Sequence, residues 1–226
     1  MPDHAEAARP MTRVRVFVDY WNFQLSMNAK EAADRSATDY RFKVDWKGLG
    51  PWLAKRARET AVAVADPISF DGVIIYTSYN PNTAEGRGFR HWATTYLNRQ
   101  PGVTVECLER KPKAPPKCPS CYQAIEYCPH PGCGKKILPT GEKGVDTLIV
   151  TDMIRLAWED AYDLAVLATS DADLIPAVKF LNLKGRKVVH AGYPPLGTEL
   201  ATACWASFDV YPNRKEIERP EPPARR

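Results

Sequence analysis

The sequence predicts an α/β protein: a parallel sheet with helices on both faces and one small inserted element. Three observations lead there. Short, continuously apolar runs such as Gly72–Thr77 (GVIIYT) and Leu164–Thr169 (LAVLAT) read as strands buried on both sides. They alternate with longer stretches whose apolar residues recur at helical spacing. One stretch, 110–143, breaks the alternation with seven prolines, four cysteines and no period.

Each element follows in order. Arg13–Asp19 (RVRVFVD) alternates basic and β-branched residues before turning apolar, which is a strand. Trp46–Glu59 places Trp46, Leu49, Trp52, Leu53 and Ala57 on one helical face. Gly72–Thr77 is the second strand. Glu85–Arg99 reads as a helix and Val103–Leu108 (VTVECL) as the third strand. Val145–Glu159 is a long helix with an apolar stripe, and Leu164–Thr169 the strand after it. Ala172–Leu183 is a helix with Gly185 just past its end, where a left-handed cap is common. Lys187–Ala191 is a strand, Leu196–Ala203 a helix, and Ser207–Tyr211 a last strand. Residues 1–12 and 212–226 are polar, charged or proline-rich and read as flexible tails. The domain proper is therefore expected over 13–211, interrupted at 110–143.

Composition narrows the function. The chain has 226 residues, 44% apolar and 26% charged, with a net charge of +4. A chain of this length buries roughly 70% of its unfolded surface and needs no staples. It contains no apolar run of about 18 residues, so no membrane-spanning helix is expected. The opening MPDHAEAARPMTR lacks the apolar core of a secretory signal, so a cytoplasmic protein is expected. Six cysteines in such a chain read as metal ligands or core residues rather than disulfides.

In a parallel sheet the ligand crevice lies beyond the carboxyl ends of the strands. The acids gather there. The first strand ends at Asp19, with Asn22 one turn on. The strand at 164–169 leads into Ser170-Asp171-Ala172-Asp173. The long helix opens with Lys143-Gly144-Val145-Asp146. An acid at a strand end is often only the N-cap of the next helix, and Asp171 suits that role. Asp146 also suits a helix dipole. Taken together, Asp19, Asp146, Asp171 and Asp173 would crowd like charges, which is unfavourable unless a cation sits among them. An all-oxygen set of this kind suits Mg²⁺ or Mn²⁺. Such an ion activates water and stabilises phosphoryl displacement, with Asn22 placed to orient water or a phosphate oxygen. Asp152, six residues after Asp146, falls on another helix face and ranks second, as does Ser170.

Three separated segments carry a family resemblance. Val16-Phe17-Val18-Asp19-Tyr20-Trp21-Asn22 resembles the opening Asp-x-x-Asn of the NYN family of PIN-like, FLAP-like nucleases. Lys143-Gly144-Val145-Asp146 resembles its "KGVD" helix. Ser170-Asp171-Ala172-Asp173-Leu174-Ile175-Pro176 resembles its "SxDxDF-P" segment, and Gly185-Arg186-Lys187-Val188 its re-entry into the next strand. The resemblance covers about 13–211 apart from the insertion. It implies a PIN-like parallel sheet, an acidic Mg²⁺ or Mn²⁺ pocket, RNA as partner and RNA cleavage as activity. It assigns the metal-site roles to Asp19, Asp146, Asp171 and Asp173, with Asn22 beside them. Two departures stand out: Tyr20-Trp21 replaces the usual Gly-Glu or Gly-x, setting bulk beside the pocket, and Leu174 replaces a common Phe.

The inserted stretch has its own chemistry. Cys118-x2-Cys121-x6-Cys128-x4-Cys133 offers two short-spaced thiol pairs, enough to close a tetrahedral, structural Zn²⁺ site. His130 is an alternative ligand, restricted by Pro129 and Pro131. Seven basic residues against two acids (Glu126 and Glu142) leave a surplus of five positive charges here, more than the whole chain's +4. Lys117, Lys135, Lys136 and Lys143 would hold phosphates, with Arg87 and Arg90 on the 85–99 helix adding to them. Tyr122 and Tyr127 could stack on bases or pack around the metal. Cys107 reads as core. The expected function is a metal-dependent endoribonuclease aided by a basic zinc ribbon. The alternative is an NYN module that binds RNA or protein without cutting. A haloacid-dehalogenase phosphatase would need an acid where Trp21 stands.

Overall fold

The computed structural model describes residues 11–61 and 67–220. The chain runs β1 (Thr12–Asp19), α1 (Tyr20–Asp34), α2 (Leu49–Thr60), β2 (Ile68–Tyr79), α3 (Ala84–His91) and β3 (Val103–Glu109). The minimal strands β4 (Lys111–Pro112) and β5 (Thr140–Gly141) follow. Then come α4 (Val145–Trp158), β6 (Leu164–Ala168), α5 (Ile175–Leu183), β7 (Lys187–Gly192), α6 (Thr198–Ala203) and β8 (Ala206–Asp209). Six strands form one sheet in the order β3-β2-β1-β6-β7-β8, every pair parallel. The predicted α/β architecture is the observed one.

Strand alternation divides the core into two layers. Val14, Val16 and Val18 of β1 face one side, with Phe23 and Met27 of α1 and Trp52 and Leu53 of α2. Phe17 faces the other, with Ile149 and Met153 of α4 and Val178 and Leu181 of α5. Each fully buried side chain of this size contributes about 1.5–3 kcal/mol. The chain lays β1, β2 and β3 outward in one direction, then returns beside β1 and lays β6, β7 and β8 in the other. The switch point falls between β1 and β6, and in open sheets of this kind ligands bind beyond the carboxyl ends of the strands there.

Several elements differ from expectation. α1 has no counterpart among the expected elements, because Gln24 and Glu31 lie on its buried face and dilute the apolar stripe. The expected 85–99 helix is α3 followed by a π turn at Trp92–Tyr96 and a 3₁₀ turn at Leu97–Arg99. There Thr94 and Thr95 hydroxyls donate to the carbonyls of Arg90 and His91, competition that loosens a helix. The expected 172–183 helix opens as a 3₁₀ turn, Ala172–Leu174, before α5 begins with Pro176 in its first turn.

The expected C-terminal tail is docked over its described part. Residues Tyr211–Ile217 form 3₁₀ turns and Ile217 is buried. Asp45 N–H donates to the Ile217 carbonyl at 2.8 Å, Trp52 Nε1 to Glu216 at 2.9 Å, and Arg214 pairs with Glu31. These partners lie up to 183 residues away in sequence, so no local pattern announces them. Residues 1–10 and 221–226, the remainder of both expected tails, lie outside the described residues. Among the described residues no helix is long and apolar enough to cross a membrane.

Residues 110–143 leave the carboxyl end of edge strand β3 and return to α4. The β4–β5 ladder pinches the base of this arm, pairing Lys111 with Gly141 and Pro112 with Thr140. Beyond it lie two tight turns. One holds Cys118 and Cys121 and is bracketed by a Lys117–Ala124 bridge; the other holds Cys128 and Cys133 and is bracketed by Tyr127–Lys136. No residue from Arg110 to Thr140 is buried.

Candidate active site

Parallel register delivers the first acids. β1 pairs Val18 with Ala168 of β6, so Asp19 stands level with Thr169, and Asp171 follows two residues on. Asp19 caps α1: Asn22 N–H donates to its Oδ1 at 3.1 Å. Asp171 caps the next turn in the same way, accepting from Asp173 N–H at 2.9 Å. Capping and ion binding do not compete here, because a carboxylate offers about four lone-pair sites and the cap uses one.

The third acid arrives from the other side. Gly144 has φ +89°, a backbone turn that strains any other residue, and it redirects the arm into α4. Asp146 thereby falls in the first turn of α4. A fourth carboxylate, Glu142, joins them. It precedes the "KGVD" segment, and nothing in the sequence set it apart from its charged neighbours. Ser78, at the end of β2, donates its hydroxyl to Glu142 and accepts from Arg110 Nε at 2.9 Å.

These groups feel one another. Asp19 is 5% exposed, and its carboxyl is pushed up to about 6 by burial first, then by Glu142, Asp146 and Asp171, with the cap from Asn22 opposing them. Asp146 is raised too, first by burial and then by Asp171, Glu142 and Asp173. Asp173 itself is exposed and lies at the outer edge of the set.

Other residues hold the walls. Asn22 Oδ1 accepts from Ser170 N–H at 2.8 Å, tying the start of α1 to the end of β6. The structure thus gives Asn22 a bracing contact across the crevice. His190, buried in β7, donates from Nε2 to the Thr169 carbonyl at 2.7 Å, and burial lowers its basicity. His190 is a wall residue that sequence pattern did not pick out. Asp152 takes no part: it accepts from Tyr76 OH at 3.0 Å and pairs with Arg155 at 3.0 Å. Tyr20 turns away from the acids to stack on Trp46 at 4.3 Å, and Trp21 Nε1 donates to the Ser78 carbonyl.

By donor chemistry the acidic set suits a hard divalent cation: all oxygen, and like-charged enough that burial alone leaves it unfavourable. Ser170 Oγ is buried beside it with no hydrogen-bond partner among the described residues. Among the described residues, however, no group of three or more Asp, Glu, His or Cys is already drawn up around an ion position. The same holds for the arm. There the Cys118 thiol is pulled below its ordinary value by backbone N–H groups of Cys121 and Ser120 and by the Cys121 thiol. That pair is together; all six cysteines are free thiols.

The basic candidates are dispersed. Lys117, Lys135, Lys136 and Lys143 are exposed along the arm. Arg87 donates to the Pro81 carbonyl at 2.9 Å, and Arg90 lies over the Tyr79 ring at 5.4 Å, both on α3 at the same end of the sheet.

Comparison with known proteins adds the family. A solved structure of a protein of unknown function from Vibrio parahaemolyticus is 17% identical to this chain, covering 88% of it and 93% of that protein, with a TM-score of 0.49. No curated protein matches. The family model described as "NYN domain" matches residues 13–209. The chain belongs to the NYN domain family, whose members are generally nucleases.

Proposed function

We propose that this protein is a Mg²⁺- or Mn²⁺-dependent endoribonuclease whose cutting site is the carboxylate set at the β1/β6 switch point. The observation that carries the proposal is the gathering of acids at the carboxyl edge: Asp19 and Asp171 cap the turns that follow the neighbouring strands β1 and β6, and Asp19 and Asp146 are both raised by burial and by the acids around them. Three further acids around one buried carboxyl are unfavourable alone and become favourable around a cation.

Asp19, Asp146 and Asp171 would hold the ion, with Glu142 and the outer Asp173 completing the negative field. A bound divalent ion supplies an activated water and stabilises charge developing on the phosphate. Asn22 ties the start of α1 to the end of β6, and His190 ties β7 to that same end. Ser170 Oγ, buried without a hydrogen-bond partner among the described residues, would donate to a phosphate oxygen. Glu142 receives the Ser78 hydroxyl, and Arg110 behind Ser78 biases that hydroxyl toward the carboxylate.

The arm is proposed as a four-cysteine zinc ribbon built on Cys118, Cys121, Cys128 and Cys133. Thiolates in two turn-held pairs suit zinc, and the site would be closed and structural. Lys117, Lys135, Lys136 and Lys143, with Arg87 and Arg90, would then grip phosphates of RNA lying across the carboxyl edge.

The test is cleavage of labelled RNA with Mn²⁺ or Mg²⁺ by wild type, Asp19→Asn and Asp171→Asn. Loss in both variants with an unchanged far-UV spectrum supports the proposal. Cleavage that survives both substitutions removes it. Salt-sensitive RNA binding with no cleavage in any metal would favour the binding-module reading instead.

A further inference from the structure

Tyr20 and Trp21 are the bulk that departs from the family pattern. Tyr20 lines a pocket distinct from the acidic set, and Trp21 packs behind it on Phe89. A cleft of about 560 Å³ opens between the start of α1, the 41–46 segment and α3. Its floor is aromatic: Tyr20 stacks on Trp46 with the rings 23° from parallel, and Phe89 lies 4.9 Å from Tyr20. Trp92 and Phe89, both only half-buried, form the open wall. The rim is cationic on balance, with three basic residues against one acid, Glu85. Arg41 sits against the Tyr20 hydroxyl, Lys43 lines the same side, and Arg219 is held there by its N–H bond to the Lys43 carbonyl at 2.7 Å.

The cleft joins the acids by a short path. Tyr20 follows Asp19 directly, so their Cα atoms are about 3.8 Å apart. Phe89 packs on Trp21 at 5.1 Å, Arg110 lies over the Trp21 ring at 5.3 Å, and Arg110 reaches Ser78, which holds Glu142. One chain laid across the carboxyl edge would meet aromatic rings, then a guanidinium, then the carboxylates.

We propose that this cleft takes an unstacked nucleobase of single-stranded RNA whose neighbouring phosphodiester lies at the carboxylate set. Its volume falls in the usual range for small-ligand sites, roughly 300–1,000 Å³. Half-exposed aromatic rings under a cationic rim match a base with its phosphate, because every base has a stacking face and every linkage a negative charge. An apolar ligand would draw nothing from the charges of Arg41 and Arg219. Duplex RNA is excluded by the same geometry, since its bases are already stacked and cannot enter. The proposal rests on reading the carboxylates as an RNA site.

Gly88 supplies the cleanest probe. It lines the cleft, and a Cβ built there meets nothing within 4 Å. Gly88→Leu therefore projects a side chain toward open space, and leucine favours the helix over glycine. The measurement is fluorescence anisotropy of a labelled 12-nucleotide RNA of mixed sequence, single-stranded or annealed to its complement, with no Mg²⁺ or Mn²⁺ added. Wild type is expected to prefer the single strand, and Gly88→Leu to bind it about 10- to 100-fold more weakly, the range of one lost stacking contact. Phe89→Ala should fall in the same direction, with its fold checked by circular dichroism. Binding by Gly88→Leu within twofold of wild type, or duplex binding as tight as single-strand binding, overturns the proposal. Because no cutting ion is present, this outcome is separate from cleavage: loss of cutting in Asp19→Asn speaks to the carboxylates alone.

Discussion

The carboxyl edge of the sheet and the Cys-rich arm beside it are held by opposite means. At the edge, Asp19 sits over a core in which Phe17, Val18 and Ala168 are wholly buried, and hydrophobic packing fixes where the acids stand. The arm buries nothing between Arg110 and Thr140, and only a two-residue ladder and a few turn hydrogen bonds give it shape. A segment of about thirty residues with so little buried area cannot offset its conformational entropy without a ligand. At the edge a cation would relieve charge that the fold has forced together; in the arm it would supply the fold itself.

Removing the proposed zinc should break the comparison most widely. With Cys118→Ser, or after chelation, amide exchange across 113–139 should become as fast as in an unfolded chain, while β1, β6 and α4 keep their protection. Exchange mass spectrometry checks this, and metal analysis of the purified protein should give about one zinc per chain.

The edge makes the reverse prediction: removing an acid there should stabilise the metal-free protein. Burial and like charges raise Asp19 to about 6 from about 3.8, so between those values the folded state holds a proton that the unfolded state has lost. Stability attributable to Asp19 is therefore present below about pH 4 and lost as pH rises through 6, a change of about 3 kcal/mol. Asn caps a helix as well as Asp. Asp19→Asn should raise the metal-free Tm at pH 7 by roughly 5–10 °C, with the gain vanishing near pH 4. Thermal melts at both pH values decide it. Added Mn²⁺ should raise the Tm of wild type and leave that of Asp19→Asn unmoved.

Smaller effects sharpen the division. Asn22→Ala leaves the Ser170 N–H without its partner and should lower stability by about 1–2 kcal/mol in denaturant melts. Lys135→Gln and Lys136→Gln should leave stability unchanged. Each should flatten the salt dependence of single-stranded RNA binding by about 0.7 in log–log slope.

The same division sets what the sequence could say. Strands β1, β2, β6 and β7 announce themselves because each carries a local apolar run, and the register that sets Asp19 level with Thr169, two residues before Asp171, follows from parallel pairing. The position of Asp146 in the first turn of a helix was legible because α4 carries a long apolar stripe. What escaped depends on distant partners. α1 hides because Glu31 on its buried face is satisfied by Arg35 and by Arg214 from the far end of the chain. The docking of 211–217 hides for the same reason. Glu142 enters the site only because β3, the arm and α4 bring it to Ser78, a contact across 64 residues. Tyr20 and Trp21 were readable as bulk, but the cleft that Tyr20 lines depends on α3.

The most direct test of the acidic site is Mn²⁺-dependent cleavage of single-stranded RNA by wild type and Asp19→Asn at equal concentration, each shown folded by its thermal melt. The carboxylate set predicts cleavage by wild type that needs the ion, and a loss of about 100-fold or more in a variant that melts at or above the wild-type temperature. Equal cleavage by a folded Asp19→Asn would contradict it.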